Sequence, residues 1–158
     1  AVLLGYTGEF LDDIRLGAEL HDIGKIGTRE SVLNKPGPLT PDEFRHITEH
    51  TVLGERILAP LARDRPVVLR IARSHHERLD GTGFPDGLAG EAIPVEARIV
   101  AVVDAFDAMT TNRAYRESFV PGSAFDELRR CAGLQFEPAI VDAFCTAFPD
   151  PARLPIHA

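Results

Sequence analysis

Cysteine is scarce in this chain: only Cys131 and Cys145 occur among 158 residues. Two thiols do not make a disulfide framework, and a chain of this length folds without one. Both are read as reduced, buried thiols of a cytoplasmic protein. Long hydrophobic runs are lacking as well. No segment approaches the roughly 18 apolar residues that a membrane span needs. The first residues show neither the basic n-region nor the clean apolar h-region of a signal peptide. The chain opens on Ala1 and not on Met, as a piece of a longer protein would. Dense basic runs are absent too: 17 Lys and Arg are scattered against 24 Asp and Glu, and the net charge is -7. That balance argues against a nucleic-acid polyanion as the main partner. A small anion, which needs only two or three placed cations, stays open. Internal repeats, low-complexity segments and convincing alternating strands are not found.

What is present is ordinary globular material, 44% hydrophobic and 26% charged. That is enough for a real core in one domain. Almost every periodic segment reads as helix. Ile14, Leu16, Ala18, Leu20 and Ile23 define a helix over 12–23 with Gly24 as its stop. Pro36, Gly37 and Pro38 make 28–39 a loop with at most one short turn. "TPDE" at 40–43 is a strong start, with Thr40 as cap, Pro41 at the first position and Glu43 closing a capping box. The helix it opens is expected to run to about Ala59, with Phe44, Ile47, Thr51, Gly54 and Leu58 along one stripe. Pro66 opens another, to about Arg78. Residues 79–94 read as a long loop, and the nearly unbroken apolar stretch 95–110 as a buried helix. "GSAFDELRRCAG" and "EPAIVDAFCTAF" read as two more helices, and 149–158 as a proline-bearing tail. The expectation is an all-α, single-domain helical bundle over 1–148.

Polar residues fall on its inward faces. His21 shares the face of Ile14 and Ala18, with Asp22 beside it. His50 lies between Ile47 and Leu53 and tends inward. His75 and His76 sit together at a helix end, and Asp104 and Asp107, three apart, interrupt an apolar helix. An ionised carboxylate buried without a partner costs several kcal/mol or more. The inward set is His, Asp, His, His, His, Asp, the donor chemistry that binds divalent Zn, Mn, Fe or Ni. Taken singly, each residue has a plainer reading. One inward His is more often a hydrogen-bonded core residue, the His pair could be a surface pair, and Asp107 could pair with Arg113. Six together at inward or helix-end positions on four separate helices favour a metal site in the bundle. His46 is expected to face solvent, and His157 lies in the tail.

"HDIGK" at 21–25, "EHTVLGERIL" at 49–58, "HHERLDGTGFPDG" at 75–87 and "IVAVVDAFDAMTTNRAYR" at 99–116 resemble the HD-GYP domain, a subgroup of the HD phosphohydrolase superfamily. The resemblance covers roughly residues 10–148. It implies an HD-type helical bundle holding two, sometimes three, iron or manganese ions. It also implies hydrolysis of cyclic di-GMP to pGpG or GMP by metal-activated water, in bacterial signalling. By the same resemblance, His21, Asp22 and Asp104 hold a first metal. His50, His75 and His76 hold a second, and Asp22 bridges the two. Lys25 sits near the phosphate, Arg113 and Arg116 contact cyclic di-GMP, and Asp107 positions water. Asp22, Lys25 and Asp107 would thus be the catalytic residues. Members often follow a receiver or sensor domain or dock onto a signalling partner. Two departures stand out. Phe84 replaces the signature Tyr, which keeps the ring and loses the hydroxyl. The family's earlier helix with its metal-binding His has no counterpart, since residues 1–20 contain no His. These departures motivate a competing expectation, a silent module that senses cyclic di-GMP. Another HD-type nucleotide phosphohydrolase is the third.

Overall fold

The computed structural model describes residues 1–111 and 120–148. The expected tail 149–158, with His157, and both Arg113 and Arg116 lie outside the described residues. The helices are α1 (Glu9–Leu20), α2 (Glu30–Leu33), α3 (Pro41–Thr48), α4 (His50–Leu58), α5 (Pro66–Ser74), α6 (Val95–Thr110), α7 (Pro121–Cys131) and α8 (Pro138–Ala147). Short 3-10 turns occupy Val2–Leu4, Ile23–Gly27 and Gly90–Ala92. Among the described residues there is no strand, only an isolated bridge between Ala132 and Phe136. The all-α expectation holds.

Helix α5 organises the bundle. It packs on α1, α4 and α6, while α6 also meets α7 and α8. Its residues feed two apolar clusters. Val67 and Ile71 join Ile14, Ile99, Val102, Phe106, Phe125 and Leu128. Val68 and Ala72 join Leu58 and Ala62. Both Val68 and Ile71 are 0% exposed, so each removes a full aliphatic side chain from water, about 1.5–3 kcal/mol apiece.

Three boundaries differ from the sequence reading. α1 ends at Leu20, before the HD pair, and the chain turns through a 3-10 segment instead of continuing to residue 23. α5 ends at Ser74, so the two histidines follow the helix proper. The helix expected over 40–59 is interrupted at Glu49 into α3 and α4. The interruption turns the single stripe into two: Thr51, Gly54 and Leu58 are buried, while Phe44 is 53% exposed. The capping box at Thr40 and Glu43 forms as expected, each side chain bonded to the other's backbone N–H. The loop 28–39 contains the short α2, and both cysteines are half-buried, not enclosed in the core.

Candidate metal centre

The site gathers where several chain segments end. His21 caps α1, Asp22 enters the 3-10 turn, His50 starts α4, His75 and His76 follow α5, and Asp104 lies in the middle of α6. The turn after the HD pair can lie on α4 because residue 24 is glycine: a Cβ there would collide with the carbonyl oxygen of His50.

Three of the four histidines are aimed by the backbone. Nδ1 of His21 lies 2.6 Å from the Ala18 carbonyl, and Nδ1 of His50 lies 2.6 Å from the Ile47 carbonyl. Nδ1 of His75 lies 3.0 Å and 3.1 Å from the carbonyls of Ile71 and Ala72. A carbonyl only accepts, so in each ring Nδ1 carries the proton and Nε2 faces the cluster. Those Nε2 atoms, with Oδ1 of Asp22, are buried and have no hydrogen-bond partner. Asp22 stands at their centre. Its Oδ1 is 3.3 Å from His50 Nε2 and 3.8 Å from His75 Nε2, and its Oδ2 is 3.4 Å from His21 Nε2. Asp104 Oδ1 lies 3.5 Å from His21 Nε2 on the far side. Donor atoms of Asp22, His50, His75 and His76 all fall within 4.8 Å of one another. Buried polar atoms left unpaired are costly. Imidazole nitrogens and a carboxylate converging on one point are the donor set a divalent cation satisfies. The residues therefore fit a metal ion.

The electrostatics follow from burial and charge. Burial opposes a charge on His21, but Asp104 and Asp22 outweigh it and hold the imidazolium up to about 10. Burial, reinforced by neighbouring His76 and His21, pushes His75 down to about 3. Burial and His50 push His76 down to about 4. Burial works against ionised Asp22, yet His21, His50 and Lys25 hold its carboxyl well below the usual range. Asp104 is likewise lowered against its burial, chiefly by His21. Two rings are thus kept neutral, as metal ligation requires, beside two ionised carboxylates.

All six residues expected to ligate metal come together. Lys25 joins them through an ion pair with Asp22. Asp107 does not join; it is exposed, one turn beyond Asp104 on α6. His46 was expected in solvent but is half-buried, its Nε2 accepting from the Arg29 N–H at 3.1 Å. The sequence reading missed Glu77. Only 4% exposed, it accepts from the N–H groups of Asp86 at 2.7 Å and Leu88 at 2.9 Å. This pins the loop 79–94 beside the histidines. Its partners are backbone groups in an irregular loop, which no periodicity signals. The same loop carries Phe84, whose ring centroid lies 4.8 Å from that of His76.

A family model described as HD domain matches residues 1–140. The chain belongs to the HD-domain family, and the HD-GYP resemblance read from its motifs is borne out. It is 43% identical over 145 residues to a cyclic di-GMP phosphodiesterase of Thermotoga maritima, a match covering 89% of this chain and 39% of the relative. It is 47% identical over 141 residues to a cyclic di-GMP phosphodiesterase response regulator of Xanthomonas campestris, covering 89% of this chain and 37% of the relative. The chain thus spans under half the length of these curated relatives. In fold it resembles a solved cyclic GMP-AMP specific phosphodiesterase from Vibrio cholerae, with a TM-score of 0.71 at 21% identity. That likeness covers 94% of this chain and 40% of the other. No helix among the described residues is long and apolar enough to cross a membrane.

Proposed function

We propose that this chain carries the catalytic centre of a metal-dependent phosphodiesterase that hydrolyses cyclic di-GMP to pGpG, GMP or both. The observation that carries the reading is the convergence of unpartnered, buried Nε2 atoms on the shared carboxylate of Asp22. The names of the relatives supply the substrate class. In this reading His21, Asp22 and Asp104 would hold one ion, and His50, His75 and His76 would hold a second. Asp22 would serve both, a role supported by its Oδ2 lying toward His21 and its Oδ1 toward His50 and His75. Iron or manganese suits this mixed imidazole and carboxylate set. Bound there, such ions supply Lewis-acid polarisation of the phosphodiester and an activated water near neutral pH.

The chain's own residues do the rest. Lys25, paired with Asp22, would neutralise a nonbridging phosphate oxygen as charge builds. Arg113 and Arg116 clamp the ligand and fix its orientation. Asp107, exposed one turn beyond Asp104, is assigned the orienting of the attacking water in this reading. The unit works in the cytoplasm, under an attached receiver or sensor domain or a signalling partner. Incubation of the manganese-loaded chain with cyclic di-GMP, with chromatographic separation of products, tests the reading. Release of pGpG or GMP is expected, together with at least about a hundredfold loss in Asp22→Asn. Tight binding without any product would replace the enzyme by a sensing module.

A further inference from the structure

A cavity of about 290 Å³ adjoins the cluster, and His75, His76 and Asp104 form part of its wall. The remaining wall has a different chemistry. Phe84 supplies an aromatic ring, and Ala101 and Ala105, one turn apart on α6, contribute only methyl side chains to the lining. Gln135, from the loop between α7 and α8, supplies an amide. The volume is just under the roughly 300–1,000 Å³ of small-molecule pockets. It suits one planar base and not a whole cyclic dinucleotide.

The placement of Gln135 is fixed from outside the cavity. Its backbone carbonyl accepts from the Leu79 N–H at 3.3 Å, and the neighbouring Leu134 carbonyl accepts from the Asp80 N–H at 2.9 Å. The loop bearing Gln135 is thereby tied to the segment that follows the two histidines. Among the described residues no hydrogen bond occupies its side-chain amide. Phe84 is tied in the same way, its N–H donating to the His76 carbonyl at 3.3 Å. The guanidinium of Arg78, also in the wall, is taken up by Asp80 and Thr82.

We infer that this cavity is a nucleobase subsite, in which Phe84 stacks on a purine and Gln135 reads its edge. The inference rests on phosphodiester chemistry at the adjoining cluster. An aromatic face holds any base by its π surface. A primary amide carries one acceptor and one donor side. In one orientation it pairs with O6 and N1–H of guanine, and in the flipped one with N6–H and N1 of adenine. Gln135 therefore admits both purines.

Calorimetric titration of the manganese-loaded chain with GMP, AMP and ribose 5-phosphate tests this. Both nucleotides should bind at least about tenfold tighter than ribose 5-phosphate, the contribution of base stacking. Gln135→Leu should bring both nucleotides down toward ribose 5-phosphate. Gln135→Glu should retain GMP and lose AMP, because a carboxylate only accepts and N1 of adenine also only accepts. Equal binding of GMP and ribose 5-phosphate by the unaltered chain would overturn the subsite. So would an unchanged base preference in both variants. Hydrolysis of bis(p-nitrophenyl) phosphate, a diester without a purine, by the unaltered chain reports separately on the diesterase. Its failure would remove that reading while the titrations still decide the base site.

Discussion

His21, His50 and His75 share one device: a backbone carbonyl takes Nδ1, and Nε2 is turned to the cluster. The ring cannot rotate away without breaking that bond, so the donor atoms are preorganised. The same burial sets a pH dependence. For His75 and His76 the folded values lie near 3 and 4, against 6.5 for an ordinary imidazole. Above pH 6.5 neither the folded nor the unfolded state carries these protons. As pH falls through 6.5, the unfolded chain takes them up and the folded rings do not, so stability falls until about pH 4 and below. His21 acts in the opposite window. Its folded value is held up to about 10, so its contribution is full below pH 6.5 and is lost as pH rises through 10. Chelator-treated protein should therefore melt at lower temperature at pH 4.5 than at pH 6.5, and His76→Gln should flatten that slope. A melting temperature independent of pH across this interval would contradict the burial argument.

At the scale of elements, the glycine of the HD motif has a packing reason. Gly24 sits so close to the start of α4 that any Cβ would meet the His50 carbonyl and the Gly54 N–H. Gly83 plays a similar part in the loop after α5, where a Cβ would lie 2.5 Å from the Glu77 Cα and the Arg78 backbone nitrogen. Gly24→Ala should push the 3-10 turn off α4 and separate Asp22 from His50. The expected destabilisation is about 1–3 kcal/mol in urea unfolding, the range for overpacked sites, with loss of bound manganese by elemental analysis. Full metal content in that variant would show that the turn and α4 can part without opening the cluster. Thr40→Ala is the contrasting case, since its capping box is exposed and sits at the opposite end of α3 from Ile47, whose carbonyl holds His50. About 1 kcal/mol should be lost, with metal content unchanged.

In the molecule as a whole, α5 is both the core's central element and the support of two cluster histidines. Ile71, 0% exposed, gives its carbonyl to Nδ1 of His75 while its side chain fills the larger apolar cluster. It also faces Gly17 of α1, whose missing Cβ lets the two helices approach closely. Ile71→Ala should cost about 2–5 kcal/mol, the transfer loss plus a cavity, measured by equilibrium denaturation. A cost under 1 kcal/mol would mean that α1 collapses onto α5 and fills the space.

The helical class, the capping box at Thr40 and the inward or helix-end placement of six His and Asp residues were legible in the order of residues alone. Each is a local or periodic property: turn chemistry, a 3.6-residue apolar repeat, or a polar residue interrupting it. The end of α1 before the HD pair, the break at Glu49 and the exposure of Asp107 were not legible, because close packing of the turn on α4 and of α6 on its neighbours decided them. Glu77 was hidden for a related reason, since its partners are backbone N–H groups of an irregular loop whose start is tied to the turn after α7. Only the tertiary structure brought Gln135 and Phe84 to the same cavity, from segments far apart in the chain. Periodicity reports which face of one helix is buried, whereas a cavity between segments depends on where their neighbours stop.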